Sequence, residues 1–322
     1  MTFGIGTFST GVEAFAGLVV DDCVHDLRPR LGEDVTTGSL LAEWDASLPK
    51  LRSIAAAADA SDGLPLGDVR PLPPVQPAGQ ILCAGANYYK HVAQIVFTMT
   101  RNAGDPRSDD ELHAFADDAA HSRDDVEPFF FVGMPAALAG ADDDIVLWGP
   151  HTQHDWELEL AVVIGRRADR VGVEEAMEFV AGYTISNDIT VRDAMNRPDI
   201  PMTDFLRSKN RPTYFPTGPY LVPAEFVTDP RELRITLTVN GEVMQDEYVS
   251  DIIQGVAELV SSASHATVLS PGDLILTGSP SGNAGHHGNR WLRPGDVIES
   301  TITGLGSQRN RCIAPPAALD TH

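Results

Sequence analysis

Short apolar runs broken by Gly, Pro, Asn and Asp dominate the chain beyond residue 80. "ILCAGANYY", "IVLWG", "LELAVVIG", "AGYTISNDIT", "YLVPAEF", "RITLTVNGEVMQDEYV", "DLILTG" and "DVIESTITGLG" have the length and boundaries of β-strands. Within them, Asn240–Gly241 in "TVNGEV" predicts a tight hairpin turn. Helical period is confined to "VEEAMEFVAG" and "DIIQGVAELVSSAS". Upstream, "FAGLVVDDCVHDL" reads as β structure and leads into a helical stretch ending in "SIAAAADASDG", so residues 1–62 form a small amino-terminal module. The proline-rich, aperiodic stretch 63–80 suits an extended linker. Residues 81–315 then form a larger, mostly β domain, and the chain as a whole is α+β.

One segment departs from this rhythm. Between about 95 and 127 the chain is rich in Asp; Ser108 and Glu111 have capping-box spacing, and Leu112, Phe115, Ala116 and Ala119 recur with helical period. A helix inside an insertion is predicted, either as a solvated surface excursion or as a lid over a site.

The stretch "HDWELELAVVIG" raises a chemical question. Side chains alternate along a strand, so Glu157 and Glu159 share a face with Ala161 and Val163, while Trp156, Leu158, Leu160, Val162 and Ile164 take the other. Two carboxylates about 7 Å apart along such a strand point at a sheltered region, where unpaired charge is costly. Asp188, at the end of "YTISNDIT", is a third carboxylate in a comparable setting. Three carboxylates from two strands suit a hard cation such as Mg²⁺, Mn²⁺ or Ca²⁺ better than zinc, and leave positions open for water and substrate. From spacing alone, glutamates facing solvent at a strand end are an equal reading.

Composition narrows the partners. The 322 residues are 43% hydrophobic and 21% charged, enough for a sizeable core. A formal net charge of −23 argues against nucleic acid or an anionic membrane as the main partner. Cys23, Cys83 and Cys312 are too few and too scattered for a disulfide framework, and neither a signal peptide nor a membrane span is evident, so a reducing cytoplasm is expected. His151 and His154 form an HxxH pattern in a loop, which is weak support for zinc, and His286–His287 reads as part of a flexible loop. There is no dinucleotide fingerprint and no phosphate-binding GK[ST] loop.

Taken in order, "GANYYKHVAQ", "WELELAVVIG", "SNDITVRD", "SKNRPTYFPTGPYLV", "LSPGDLILTGSPSG" and "LRPGDVIESTITGLGSQRN" resemble the signature blocks of the fumarylacetoacetate hydrolase family, over residues 78–312. The resemblance implies a mixed β-roll catalytic domain, a small amino-terminal domain, a homodimer, a small-molecule oxo-acid substrate and a divalent metal on an ExE pair with a later Asp. These ligands map onto Glu157, Glu159 and Asp188. It further implies Lys209 as an active-site cation, Arg192 and Ser279 as substrate-binding groups, and His91 as the base that takes a proton from water. A bound cation would stabilise the enolate released when the carbon–carbon bond of a β-diketo acid breaks.

The chain departs from the family pattern at Gln94, where a Glu often supports the histidine, at Gly133–Met134 in place of a Lys–Pro pair, and at Met195, where a Gln is common. Three activities follow. The leading one is a carbon–carbon bond hydrolase acting on an acylpyruvate-like acid. The others are an isomerase, decarboxylase or hydratase of a 2-oxo acid, and a metal-binding protein without catalysis. An acidic side chain of the insertion would then be needed near His91 to take the place of the missing Glu.

Overall fold

The computed structural model describes residues 2–316. Its centre is a six-stranded sheet in the order Val222–Pro223, Val180–Asn187, Leu158–Ile164, Leu274–Leu276, Ile81–Ala84 and Phe130–Gly133. Neighbours are antiparallel except Leu274–Leu276 beside Ile81–Ala84. Every residue of Leu158–Ile164 is buried, and its two faces enter different cores. Leu158, Leu160, Val162 and Ile164 pack with Tyr183, Ile235, Leu237 and Ile298. Ala161 and Val163 pack with Ile5, Leu18, Trp44 and Leu51. This is the alternation read from the sequence, and it explains why the strand is apolar on both sides.

Each face is covered by another layer. On one side lies a five-stranded sheet ordered Glu242–Tyr248, Arg234–Val239, Val297–Ile302, Ser307–Ile313 and Ile145–Val146. Its first two strands meet in the expected hairpin, with Val239 opposite Glu242 and positive φ at Asn240 (53°) and Gly241 (80°). On the other side the amino-terminal strands Gly4–Ser9, Ala14–Val20 and Cys23–Asp26 pack with the helix Trp44–Ala56. Part of the proline-rich segment joins that sheet, with Pro65 opposite Cys23 and Pro71 opposite Phe8. The fold is the α+β architecture anticipated from the sequence.

Helices differ from the periodicity reading in several places, among them the short helices Arg192–Met195 and Phe205–Lys209, which it did not anticipate. "VEEAMEFVAG" shortens to Val173–Ala176 and a 3-10 turn at Met177–Phe179, because Val180 already belongs to the central sheet. Conversely, the strand at "ILCAGANYY" ends at Ala84, and Tyr89–Asn102 is a 14-residue helix that carries the chain into the insertion. A second helix, Asp109–His121, starts at the predicted Ser108–Glu111 capping box and packs back on the first through Phe97 stacked on His113. No helix among the described residues is long and apolar enough to cross a membrane, and the three cysteines are free.

Gly182 lies where the central sheet is tightest. A Cβ there would approach the Val222 carbonyl oxygen to 2.1 Å, a backbone atom that cannot swing aside. Gly182→Ala is therefore expected to cost about 1–3 kcal/mol, seen as a lowered thermal midpoint; an unchanged midpoint would show that the sheet yields at this point.

Candidate active site

Two adjoining strands bring the acidic residues together. The Leu158–Ile164 strand pairs with Val180–Asn187 so that Leu158 faces Asn187, which sets the residues just outside the ladder, Glu157 and Asp188, side by side. The Asp188 N–H donates to the Glu157 carbonyl at 2.8 Å, and Asn187 Oδ1 accepts from the Glu157 N–H at 2.9 Å. A ligand oxygen of each of Glu157, Glu159 and Asp188 lies within 4.8 Å of the others, and this is the one such group of metal-ligating side chains found among the described residues. His151 and His154 do not form one: His151 lies beside Asp193 and His154 meets the Trp148 carbonyl.

Two short helices supply the positive charge. Lys209 ends the helix Phe205–Lys209, and its Nζ donates to Glu157 Oε2 and Asp188 Oδ2, both at 2.6 Å, and to Thr190 Oγ1 at 2.7 Å. Arg192 begins the helix Arg192–Met195 and donates from Nε to Asp155 at 2.9 Å and from Nη2 to Glu157 at 2.5 Å. Asp155 is itself buried and also accepts from the Trp156 and Ala284 N–H groups. His91 sits in the first turn of Tyr89–Asn102, buried, with no hydrogen-bond partner for Nδ1. Ser279 accepts from Gln245 Nε2 at 2.8 Å. The structure thus brings together the residues mapped from the family resemblance: His91, Glu157, Glu159, Asp188, Arg192, Lys209 and Ser279 line one cavity of about 160 Å³.

The electrostatics of this cavity are unbalanced. Asp155, Glu157, Glu159 and Asp188 are all buried carboxylates, whereas Arg192 and Lys209 are the cations that meet them. Burial opposes the charge on Glu157, but Arg192 and Lys209 outweigh it and hold this carboxyl well below its usual range. Burial pushes Asp188 up to about 7 despite Lys209, with Glu157 adding repulsion. Burial, followed by repulsion from Asp188 and Glu157, raises Glu159 strongly, although the Gly278 N–H donates to it at 2.7 Å. Asp188 Oδ1 is buried with no partner at all. Two carboxylates whose ionisation burial opposes, an orphaned carboxylate oxygen and an all-oxygen donor set fit a hard divalent cation held by Glu157, Glu159 and Asp188.

Residues 80–313 match the fumarylacetoacetate (FAA) hydrolase C-terminal family. The chain belongs to the fumarylacetoacetate hydrolase family. It is 34% identical over 268 residues to a maleylpyruvate hydrolase of Aquipseudomonas alcaligenes, covering 83% of each chain. It is 33% identical over 324 residues to an oxaloacetate tautomerase of Bacillus subtilis strain 168, covering 94% of this chain and 99% of the relative. Among solved structures, a fumarylacetoacetate hydrolase from psychrophilic Exiguobacterium antarcticum superimposes with a TM-score of 0.74 at 26% identity, covering 97% of this chain and all of the other.

Against the family pattern, the surroundings of His91 are distinctive. Gln94, in place of a supporting Glu, donates to Thr98 Oγ1 at 3.2 Å on its own helix and leaves the imidazole alone. The acidic residues of the insertion do not replace it. Asp109 is paired with Arg101, Glu111 caps its helix through Ser108, and the charged or ionisable groups acting on His91 are Glu157, Arg192, His286 and Lys209. The expectation of an insertion carboxylate beside His91 is thus corrected: helix capping and local ion pairing occupy two of those side chains. His286–His287 ends a bonded 3-10 turn, with His287 Nε2 at 3.0 Å from the Met244 carbonyl, rather than a loose loop.

Sequence reasoning missed three contributors. Asp155 alternates with Glu157 and Glu159, a signal available in "HDWELE", and it anchors Arg192. Thr190, two residues past Asp188, bridges Lys209 and Asp188. Gln245 had no local signal, since it reaches the site from the distant hairpin. Glu159→Ala removes one of the three clustered carboxylates, so it is expected to abolish Mn²⁺ or Mg²⁺ binding in calorimetry and the metal-induced rise in melting temperature. Wild-type affinity in that variant would exclude these side chains as the ligands.

Proposed function

We propose that this chain is a divalent-metal-dependent hydrolase that cleaves a carbon–carbon bond in a β-diketo acid of the acylpyruvate class. The reading rests on one observation: a buried carboxylate triad, a lysine, an arginine and an unpaired neutral histidine share a single cavity. Glu157, Glu159 and Asp188 would hold the cation, with Mg²⁺ or Mn²⁺ favoured by the oxygen-only donors. When bound, it supplies positive charge against the oxygens of the oxo acid, where negative charge develops.

The protein's own groups divide the remaining work. Lys209, fixed by three hydrogen bonds, presents an ammonium to the same region without needing to reorganise. Arg192, tethered by Asp155, orients the acid end of the substrate. Burial pushes His91 down to about 4, so at neutral pH its ring is uncharged and able to accept a proton. A water that loses its proton to His91 adds to the distal carbonyl; the bond to the neighbouring carbon breaks, and its electron pair stays with the pyruvate fragment as an enolate. Protonation of that carbon completes a carboxylic acid and pyruvate.

A second reading, enol–keto chemistry without hydrolysis, is favoured by the absence of an acidic partner for His91 along its helix, since Gln94 is turned to Thr98. A hydrolase and a tautomerase are almost equally similar to the chain, so the choice rests on these residues. Mass spectrometry of products from a panel of 2,4-dioxo acids, with proton exchange into D₂O followed by NMR to report enol–keto interconversion, separates them. Two fragments are expected; a single rearranged product would replace hydrolysis with the second reading, and no product would leave a metal-binding protein without catalysis.

The histidine carries its own prediction. His91→Ala should lower kcat by about 10²–10⁴-fold while leaving metal affinity intact. With metal saturating, the acid limb of kcat/KM should fall well below the ordinary imidazole range, because burial lowers His91 and the neutral base is lost only when it takes a proton. A limb near the ordinary imidazole value of about 6.5 would show that burial does not control this group.

A further inference from the structure

The cavity is chemically divided along its depth. Of its charged residues, Glu157, Glu159, Asp188 and Lys209 are almost fully buried and form the floor, whereas Arg192 is part-exposed and meets Met195. The wall nearer solvent is built from Ile95, Phe129, Met195 and Phe205, which are partly or substantially exposed, backed by the buried Phe131. The aromatic part of this wall is stacked. Phe131 and Phe205 stack at 4.5 Å with their planes 8° apart, and Phe129 leans on Phe205 at 5.7 Å. Ile95 lies one helical turn beyond His91 and faces the same cavity.

Both cations of the cavity are paired with buried carboxylates. Lys209 is shared between Glu157, Asp188 and Thr190, with Phe131 covering its Nζ at 5.0 Å. Arg192 is held at Nε by Asp155 and at Nη2 by Glu157, while Nη1 lies 3.8 Å from the Met195 sulfur. No other Lys or Arg lines the cavity among the described residues. A substrate whose inner oxo-acid end uses these cations would therefore meet no further Lys or Arg at its other end. A second carboxylate there would exchange water for phenyl, thioether and alkyl surface, and the −23 net charge of the protein would add to the penalty.

Resting on the proposed function for its inner end, we infer that the substrate is a 2-oxo acid with a single carboxylate and an uncharged, apolar tail. The tail lies against the Ile95, Phe129, Met195 and Phe205 wall. This would set the chain apart from relatives named for maleylpyruvate and oxaloacetate, both dicarboxylates.

A matched pair of ligands tests this without requiring turnover. 5-Methyl-2-oxohexanoate and 2-oxoglutarate have the same heavy-atom shape, with two methyl groups in one where the other has its distal carboxylate oxygens. In calorimetry on the Mn²⁺-loaded protein near neutral pH, the branched alkyl acid is expected to bind at least about tenfold more tightly. Equal or tighter binding of 2-oxoglutarate would overturn the inference, as would failure of both to bind at millimolar concentration.

Placing a cation in the outer wall should reverse the preference. In Met195→Arg, 2-oxoglutarate should gain at least about tenfold relative to its isostere, and Ile95→Lys provides the same test from another residue of that wall if the first variant does not fold. An unchanged preference in a folded variant would place the tail elsewhere and overturn the proposal. Hydrolysis is judged separately by the fragments formed from 2,4-dioxo acids. Cleavage with no alkyl preference would remove the tail assignment alone, whereas alkyl preference without cleavage would remove hydrolysis alone.

Discussion

Four buried carboxylates gathered around two cations are the constraint on which the rest of this structure depends. Charges of like sign in a water-poor cavity repel strongly, so the arrangement persists only if a rigid frame holds them and something offsets the excess. Within the protein the offset is partial. Glu157 is fully served by Arg192 and Lys209, while burial drives Glu159 and Asp188 toward their protonated forms. A site that keeps an unpartnered carboxylate oxygen at Asp188 is poised for a cation in a way that a solvated acidic patch is not.

The rigid frame is the layered fold. The central sheet has apolar cores on both faces, so the strand cannot shift by one residue without swapping Leu158, Leu160 and Val162 with the smaller Ala161 and Val163 between two differently shaped cores and turning Glu159 to the other face. Its register against Val180–Asn187 is what sets Asp188 beside Glu157. The amino-terminal module contributes to one of those cores through Ile5, Leu18 and Trp44, on the face of the strand that also carries the glutamates, without itself lining the cavity.

Above the charged floor the character of the cavity changes abruptly. His91 is kept neutral by burial, and the wall beyond it is aromatic and aliphatic. A neutral base beside a polar floor is suited to proton transfer, and an apolar wall excludes water that would otherwise screen the charges beneath. The insertion takes part through its first helix: Tyr89–Asn102 places both His91 and Ile95 in the cavity before continuing outward. The acidic residues Asp109 and Glu111 of its second helix are occupied with Arg101 and with capping.

Much of this was legible in the sequence because it is local or periodic. Alternation in "WELELAVVIG" assigned each side chain of the strand to its face, Asn240–Gly241 marked the hairpin, and Ser108–Glu111 marked the start of the insertion helix. The ordered motif blocks led to the family and to residues that do meet in one cavity. The rest depends on contacts between distant segments. That Lys209 bridges Glu157 and Asp188, that Asp155 ties down Arg192, and that Gln245 reaches Ser279 from a remote hairpin follow from how the strands and short helices pack. The choice of Thr98 over His91 by Gln94, and the apolar wall assembled from Ile95, Phe129, Met195 and Phe205, likewise arise from tertiary packing. Residue identity along the chain determines which chemistry is available; burial and long-range pairing decide which charges remain unbalanced, because both are properties of neighbours in space rather than in sequence.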